Sequence, residues 1–161
     1  MPPFWRVMAG TFSSRFARVP VLGAGVVAAH GAVVLVGWWA AWPIFVRPPQ
    51  HFIPMAPSTA LAFLVLGLAL LTRIVWAERA GMRVAAAVVS WTVAGVTLLN
   101  LAFPAWLDGI LGGAAGDFGQ VRLGVMSPVT AGALLLLSVA IGLLGRRTLY
   151  ASVCATLAAL V

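Results

Sequence analysis

Few side chains in this sequence could take part in chemistry, and two of them lie deep inside apolar runs. His30 stands among small residues in the middle of the first run, and Asn100 stands near the end of the third. Polar groups are costly within a bilayer, so they usually serve a function or bond to a neighbouring helix. We predict that His30 and Asn100 are ligand or helix-contact residues, with Asn100 bonded to a neighbouring helix or backbone.

Three interpretations of His30 are open. It can be a neutral histidine at a close helix contact formed by nearby glycines. It can be an axial ligand of haem or chlorophyll, because His30 followed by Trp38 and Trp39 is similar to the pigment-binding helix of light-harvesting polypeptides. It can also be a proton- or ligand-sensing group. The glycines in question are Gly23, Gly25 and Gly31.

The sequence contains no catalytic pair, nucleophile–base arrangement, phosphate loop or metal-binding cluster. The second histidine, His51, has no acid beside it, which makes a poor metal site. The single cysteine, Cys154, lies in an apolar run and permits no internal disulfide. We therefore expect no catalytic residue and no metal, with haem or chlorophyll at His30 as the one cofactor to consider.

The composition predicts that membrane helices carry these residues. Hydrophobic residues make up 63% of the 161 residues and charged residues 8%, and the mean hydropathy is +1.09. A soluble chain is about half apolar and about a quarter charged. Each of four charge-free stretches can hold the roughly 20 apolar residues that cross a bilayer as a helix. The predicted helices are 21–42, 57–76, 84–103 and 128–145.

The two ends of the chain lie outside the four predicted helices. Residues 1–20 are predicted to form an amphipathic cytoplasmic segment at the membrane surface, because aromatic residues and methionine recur at four-residue spacing. Residues 148–161 look like the start of a fifth transmembrane helix. A terminal carboxylate inside the membrane would be costly, so we expect that the chain is truncated there.

The arginines predict the orientation. All ten basic residues are arginines, and eight of them lie in segments 1–20, 72–83 and 146–147. The positive-inside rule places these segments in the cytoplasm of a bacterium, with the protein crossing the inner membrane several times. The arginines that give the net charge of +7 are then expected to contact lipid headgroups, and nucleic acid is not expected as a partner.

A short motif that starts a helix occurs twice. Met55-Ala56-Pro57-Ser58-Thr59-Ala60 opens the second helix and Met126-Ser127-Pro128-Val129-Thr130-Ala131 opens the fourth. Proline suits a first helical turn, Ser127 is a good N-cap, and Thr59 and Thr130 can satisfy an unpaired N–H of that turn. A second possibility is that the motif faces a ligand.

The predicted fold class is an all-α integral membrane bundle of four complete transmembrane helices plus a truncated fifth. The four complete helices form a domain at 21–145. This domain is built as two parallel helical-hairpin repeats, at about 21–76 and 82–145.

The run from Pro54 to Leu71 resembles the N-terminal membrane region of bacterial sensor histidine kinases and diguanylate cyclases, and Met126 to Ala133 resembles a second copy. The resemblance implies a sensory or anchoring module, with a kinase or cyclase output domain in a longer protein. The lipid bilayer and a protein partner or second copy are the expected partners. The alternative is an accessory subunit of a large membrane complex, photosynthetic or respiratory.

Two further predictions concern the ends of the helices. Six tryptophans are expected to form belts at the two membrane boundaries. Asp108 and Asp117 lie in a glycine-rich loop, in which 105–111 is predicted to be a short surface helix. The belt residues are Trp38, Trp39, Trp42 and Trp106 at one boundary, and Trp5 and Trp76 at the other.

Overall fold

The structure is a computed structural model that describes residues 18–42, 55–103, 106–111, 116–118 and 121–143. Most of segment 1–20 and all of 148–161 lie outside the described residues, as does His51. The helices are α1 (Arg18–Trp39), α2 (Pro57–Val75), α3 (Ala80–Ala102), α4 (Trp106–Ile110) and α5 (Pro128–Leu143), and the strands are β1 (Gly116–Phe118) and β2 (Val121–Leu123).

Three of the helices are long and apolar enough to cross a membrane. They are α1, α2 and α3, with 22, 19 and 23 residues. The fourth predicted span, α5, has 16 described residues, or about 24 Å at 1.5 Å per residue. This length is shorter than the roughly 30 Å of a hydrocarbon core. The structure is therefore that of a helical membrane protein with three candidate spans and one shorter apolar helix.

Helix α2 lies at the centre of the bundle. It packs against α1 on one side and against α3 and α5 on the other, while α3 and α5 pack against each other. A cluster that includes Leu66 of α2 and Leu134 of α5 forms the larger part of the core. A second cluster joins Leu35 and Trp38 of α1 to Ala60 of α2. The chain therefore folds as two helical hairpins that meet along α2.

Small residues bring α1 and α2 close together. A Cβ atom on Gly67 would lie 2.8 Å from the backbone nitrogen of Ala28 and 2.9 Å from the carbonyl oxygen of Ala24. A Cβ atom on Gly31 would collide with the carbonyl oxygen of Ala60. Close backbone approach of this kind is how small residues hold membrane helices together, because it increases van der Waals contact.

Buried serines lie in α3 and α5. Ser90 Oγ donates a hydrogen bond to the Ala86 carbonyl at 2.8 Å, and Ser138 Oγ donates to the Leu134 carbonyl at 2.6 Å. Each hydroxyl thus bonds to the carbonyl four residues earlier in its own helix. The serines can therefore occupy a tight interface without leaving their hydroxyls unpaired.

Arg73, near the end of α2, ties two other elements to this helix. Its Nη2 donates to the Gly142 carbonyl at 3.3 Å and to the Arg83 carbonyl at 3.4 Å. The last carbonyls of a helix lack partners within the helix, so a cation near the end of α5 stabilises it. The contacts gather the end of α2, the start of α3 and the end of α5 at one end of the bundle.

The loop before α5 contains the only departure from helix among the described elements. β1 and β2 pair antiparallel, with Asp117 opposite Arg122. The all-α fold predicted from the sequence did not include this short β-hairpin, because a glycine-rich loop has no periodic apolar pattern from which a strand is predicted. The first residues of α2 and α5 agree with the sequence prediction, because both helices begin at the proline of the repeated motif.

Candidate functional site

A buried carboxylate joins the starts of α2 and α5. Asp108 lies in α4 and is 1% exposed. Its Oδ1 accepts a hydrogen bond from the Ser58 backbone N–H at 2.8 Å, and its Oδ2 accepts one from the Met126 backbone N–H at 3.0 Å. Each oxygen thus serves a different copy of the repeated motif. We call this arrangement the Asp108 bridge.

The local sequence of α2 explains why it needs this carboxylate. Pro57 occupies the first turn, and Ala56, at the N-cap position, makes no side-chain capping bond. The first N–H groups of a helix have no partner within the helix, and Ala56 has no oxygen with which to accept one. Asp108 accepts the Ser58 N–H in its place. A carboxylate here is also favoured by the positive end of the helix dipole.

The second copy of the motif combines a local cap with the bridge. Ser127 Oγ accepts a hydrogen bond from the Thr130 backbone N–H at 3.1 Å, which confirms Ser127 as the N-cap of α5. The Ser127 and Thr130 hydroxyls are 2.8 Å apart and also bond to each other. Met126 then presents its N–H to Asp108 one residue before this cap. The two motif copies therefore differ in their caps but share one carboxylate.

A partly open cavity of about 260 Å³ lies beside the Asp108 bridge. Its wall is formed mainly by aliphatic side chains of α2 and α3, with Leu107 of α4 and Met126 at one end. Four polar residues also line it, namely Ser58, Thr92, Thr97 and Asn100. Ser58 Oγ and Asn100 Oδ1 are both buried and have no hydrogen-bond partner among the described residues. Two residues of the cavity lining thus carry a buried polar atom that has no partner in the described part of the chain.

Asn100 differs from the sequence prediction in its bonding. It is 5% exposed, but its Oδ1 bonds to no neighbouring helix or backbone group in the described part of the chain. This oxygen therefore does not make the predicted hydrogen bond within the described residues, and the role of Asn100 stays a prediction. Asn100 lines the cavity together with residues of α2 and α3.

His30 lies on the surface of α1, away from α2. The contact face of α1 carries Ala24, Ala28 and Gly31, whereas His30 is two residues after Ala28 and thus lies on nearly the opposite side of the helix. Gly31 makes the predicted close contact, but Gly23 and Gly25 would meet nothing within 4 Å. His30 therefore lies outside the contact between α1 and α2, and its role stays a prediction.

The other residues of the motif lie where the helices start. Thr59 is buried in the first turn of α2, and Met55 is half-buried just before it. Trp38, expected in a boundary belt, is instead buried at 5% exposure, and its Nε1 donates to the Met55 carbonyl at 2.8 Å. Trp39 and Trp106 are exposed at 72% and 52%, as belt residues should be.

Sequence reasoning missed the role of Asp108. The chain has three acidic residues, and Asp108 was placed on a surface helix of the loop. A helix does form at Trp106–Ile110, but its aspartate faces inward. One signal could have revealed it: the first motif lacks an N-cap side chain, so another residue had to supply the acceptor.

The Asp108 side chain at the site is already used by the fold. Among the described residues, no three histidine, cysteine, aspartate or glutamate side chains lie close enough to hold a metal ion. Both Asp108 oxygens accept backbone N–H groups, so the carboxylate is occupied by the fold. What the arrangement offers is a polar joint between two helix starts with a cavity next to it.

Comparison with known proteins gave no match: no family model, curated protein or solved structure is significantly similar to this chain.

Proposed function

We propose that this chain is a membrane-embedded sensory or anchoring module of a bacterial signal-transduction protein. The observation that carries the proposal is the Asp108 bridge, which joins α2 to α5 through two hydrogen bonds from one carboxylate. A joint made of a few polar contacts between otherwise apolar helices can have two arrangements of similar energy. A signal that favours one arrangement would move the helix starts and transmit along α2 and α5.

Two other features support this proposal. The run from Pro54 to Leu71 resembles the membrane region of sensor histidine kinases and diguanylate cyclases, and its start is where the bridge acts. Arg73, at the far end of α2, contacts the last turn of α5 and the start of α3. A displacement at Ser58 could therefore reach the opposite end of the bundle through α2, which contacts every other long helix.

The test uses the native polypeptide, tagged and purified from its own membrane. We expect its mass to show a cytoplasmic output domain after residue 161, such as a kinase or cyclase. Asp108→Asn should change the activity of that domain at least several-fold, whereas Glu78→Gln, in the exposed turn between α2 and α3, should not. If the polypeptide ends within about one helix of Val161, the signalling proposal is wrong.

A second function, an accessory subunit of a larger membrane complex, is favoured by the position of His30. An ionisable residue in the middle of a span normally faces protein or a cofactor. His30 instead lies on the surface of this chain, on a face with Val26 and Val33. Stoichiometric co-purification with other subunits, together with a haem or chlorophyll absorption band that His30→Ala removes, would support this function.

A further inference from the structure

We infer that the cavity between α2 and α3 binds a small, uncharged lipophilic molecule that carries a hydroxyl group. The binding rests on the geometry of the cavity alone, whereas the role of this ligand as a signal rests on the proposed function. Two observations, the polar atoms of the cavity and the chemistry of its walls, lead to this ligand class.

The polar atoms specify one end of the ligand. Ser58 Oγ and Asn100 Oδ1 are buried at the same cavity without a partner among the described residues. An unpaired polar atom in an apolar interior is unfavourable, so a partner that enters the cavity is favoured. A hydroxyl group suits either atom, because it can donate to the Asn100 oxygen or accept from the Ser58 hydroxyl.

The walls specify the remainder of the ligand. Leu61, Val65, Val93 and Val96 give the cavity an aliphatic lining, and no charged residue is among those that line it. A charged headgroup would be buried here without a counter-ion, which is strongly unfavourable. The volume of about 260 Å³ exceeds the roughly 150 Å³ of an apolar cavity that holds benzene. A compact molecule with an aliphatic body meets these conditions.

The position of the cavity connects such a ligand to the bridge. Ser58 and Met126, which donate the two N–H groups to Asp108, both line the cavity, and so does Leu107, the residue before Asp108. A molecule bound there would contact all three elements that the bridge joins. Its occupancy could therefore change the relative positions of α2, α4 and α5.

Octanol is a suitable probe because it has one hydroxyl group and an aliphatic chain of suitable size. The full chain is placed in phosphatidylcholine nanodiscs and labelled with an octanol that carries a photoreactive diazirine on its chain. Labelled peptides are identified by mass spectrometry. We expect labels on α2 and α3 next to the cavity, and we expect unlabelled octanol to compete at a lower mole fraction than octane does.

Two variants and a matched control complete the experiment. Asn100→Leu should raise the octanol needed for half-maximal competition about tenfold, because it removes one hydrogen-bond partner and keeps the side chain's size. Val96→Phe should fill the cavity and abolish the label, whereas Val88→Phe, on the exposed face of α3, should not. Circular dichroism and gel filtration show that each variant is folded.

The inference is wrong if octane competes as well as octanol, since the cavity would then hold acyl chains alone. It is also wrong if Val96→Phe keeps the label. These results leave the sensory proposal intact when the native polypeptide carries an output domain. Conversely, hydroxyl-dependent labelling of a polypeptide without an output domain would support the ligand and contradict the sensory proposal.

Discussion

At the scale of single residues, the side chain of Asp108 connects parts of the chain that are far apart in the sequence. It is 1% exposed and accepts the backbone N–H groups of Ser58 and Met126, which are 50 and 18 residues away from it in the sequence. A buried carboxylate is tolerated in an apolar protein when charge-assisted hydrogen bonds replace water, as they do here. The sequence around Asp108 does not reveal this, because its partners are backbone groups of distant residues.

We expect Asp108→Asn to lower the free energy of unfolding by about 1–3 kcal/mol, because the amide has one oxygen and can accept only one of the two N–H groups. Asp108→Ala should cost more, since it removes both acceptors. Thermal unfolding in detergent micelles, followed by circular dichroism, measures the difference. Glu78→Gln is the control, since Glu78 is exposed. Equal stability of Asp108→Ala and the unmodified protein would contradict the structural role of the bridge.

At the scale of elements, the interface of α1 and α2 depends on where glycine occurs. Gly67 and Gly31 have neighbouring backbone atoms where a Cβ atom would be, whereas Gly25 has open space around it. Three glycines in similar sequence surroundings thus have different structural roles. The difference arises from the rotation of α1 about its axis, which turns Ala28 and Gly31 toward α2 and Gly25 away from it.

Gly67→Ala should therefore weaken the contact of α1 with α2 by about 1–3 kcal/mol, because the added methyl group meets Ala28 backbone and must move the helix. Gly25→Ala is the matched control, and it should be neutral or slightly stabilising, since alanine favours a helix more than glycine does. Unfolding in detergent measures both variants. A loss of stability in Gly25→Ala equal to that in Gly67→Ala would show that the close contact is not at Gly67.

At the scale of the whole molecule, the two hairpins meet at both ends of the bundle. Asp108 joins them at the end where Pro57 and Pro128 lie, and Arg73 joins them at the other. The parallel relation of the two hairpins stays a prediction. Its strongest support is that Ser58 and Met126, from corresponding motifs, bond to one carboxylate.

The arginine distribution predicts that the end with Arg73 faces the cytoplasm. Single cysteines are introduced at Gln50, Gly116 and Glu78 in a Cys154→Ser background, and whole cells are treated with a membrane-impermeant thiol reagent. We expect labels at positions 50 and 116, and none at 78 until the membrane is made permeable. Labelling at 78 alone in intact cells would mean that the opposite orientation is correct.

Composition and local motifs were enough to predict a helical membrane protein and the residues at which α2 and α5 begin. These properties depend on short-range physics: apolar length determines whether a helix suits a bilayer, and proline favours a first helical turn. The local cap at Ser127 belongs to the same class, because its partner is three residues away.

The candidate site could not be predicted in the same way. Asp108, Ser58 and Met126 come together only when three separate elements pack, and the cavity at Asn100 is formed by side chains of α2 and α3 together. The surface position of His30 likewise follows from which face of α1 contacts α2. Such placements depend on the relative rotation and separation of whole helices, and apolar runs of similar composition do not specify these quantities.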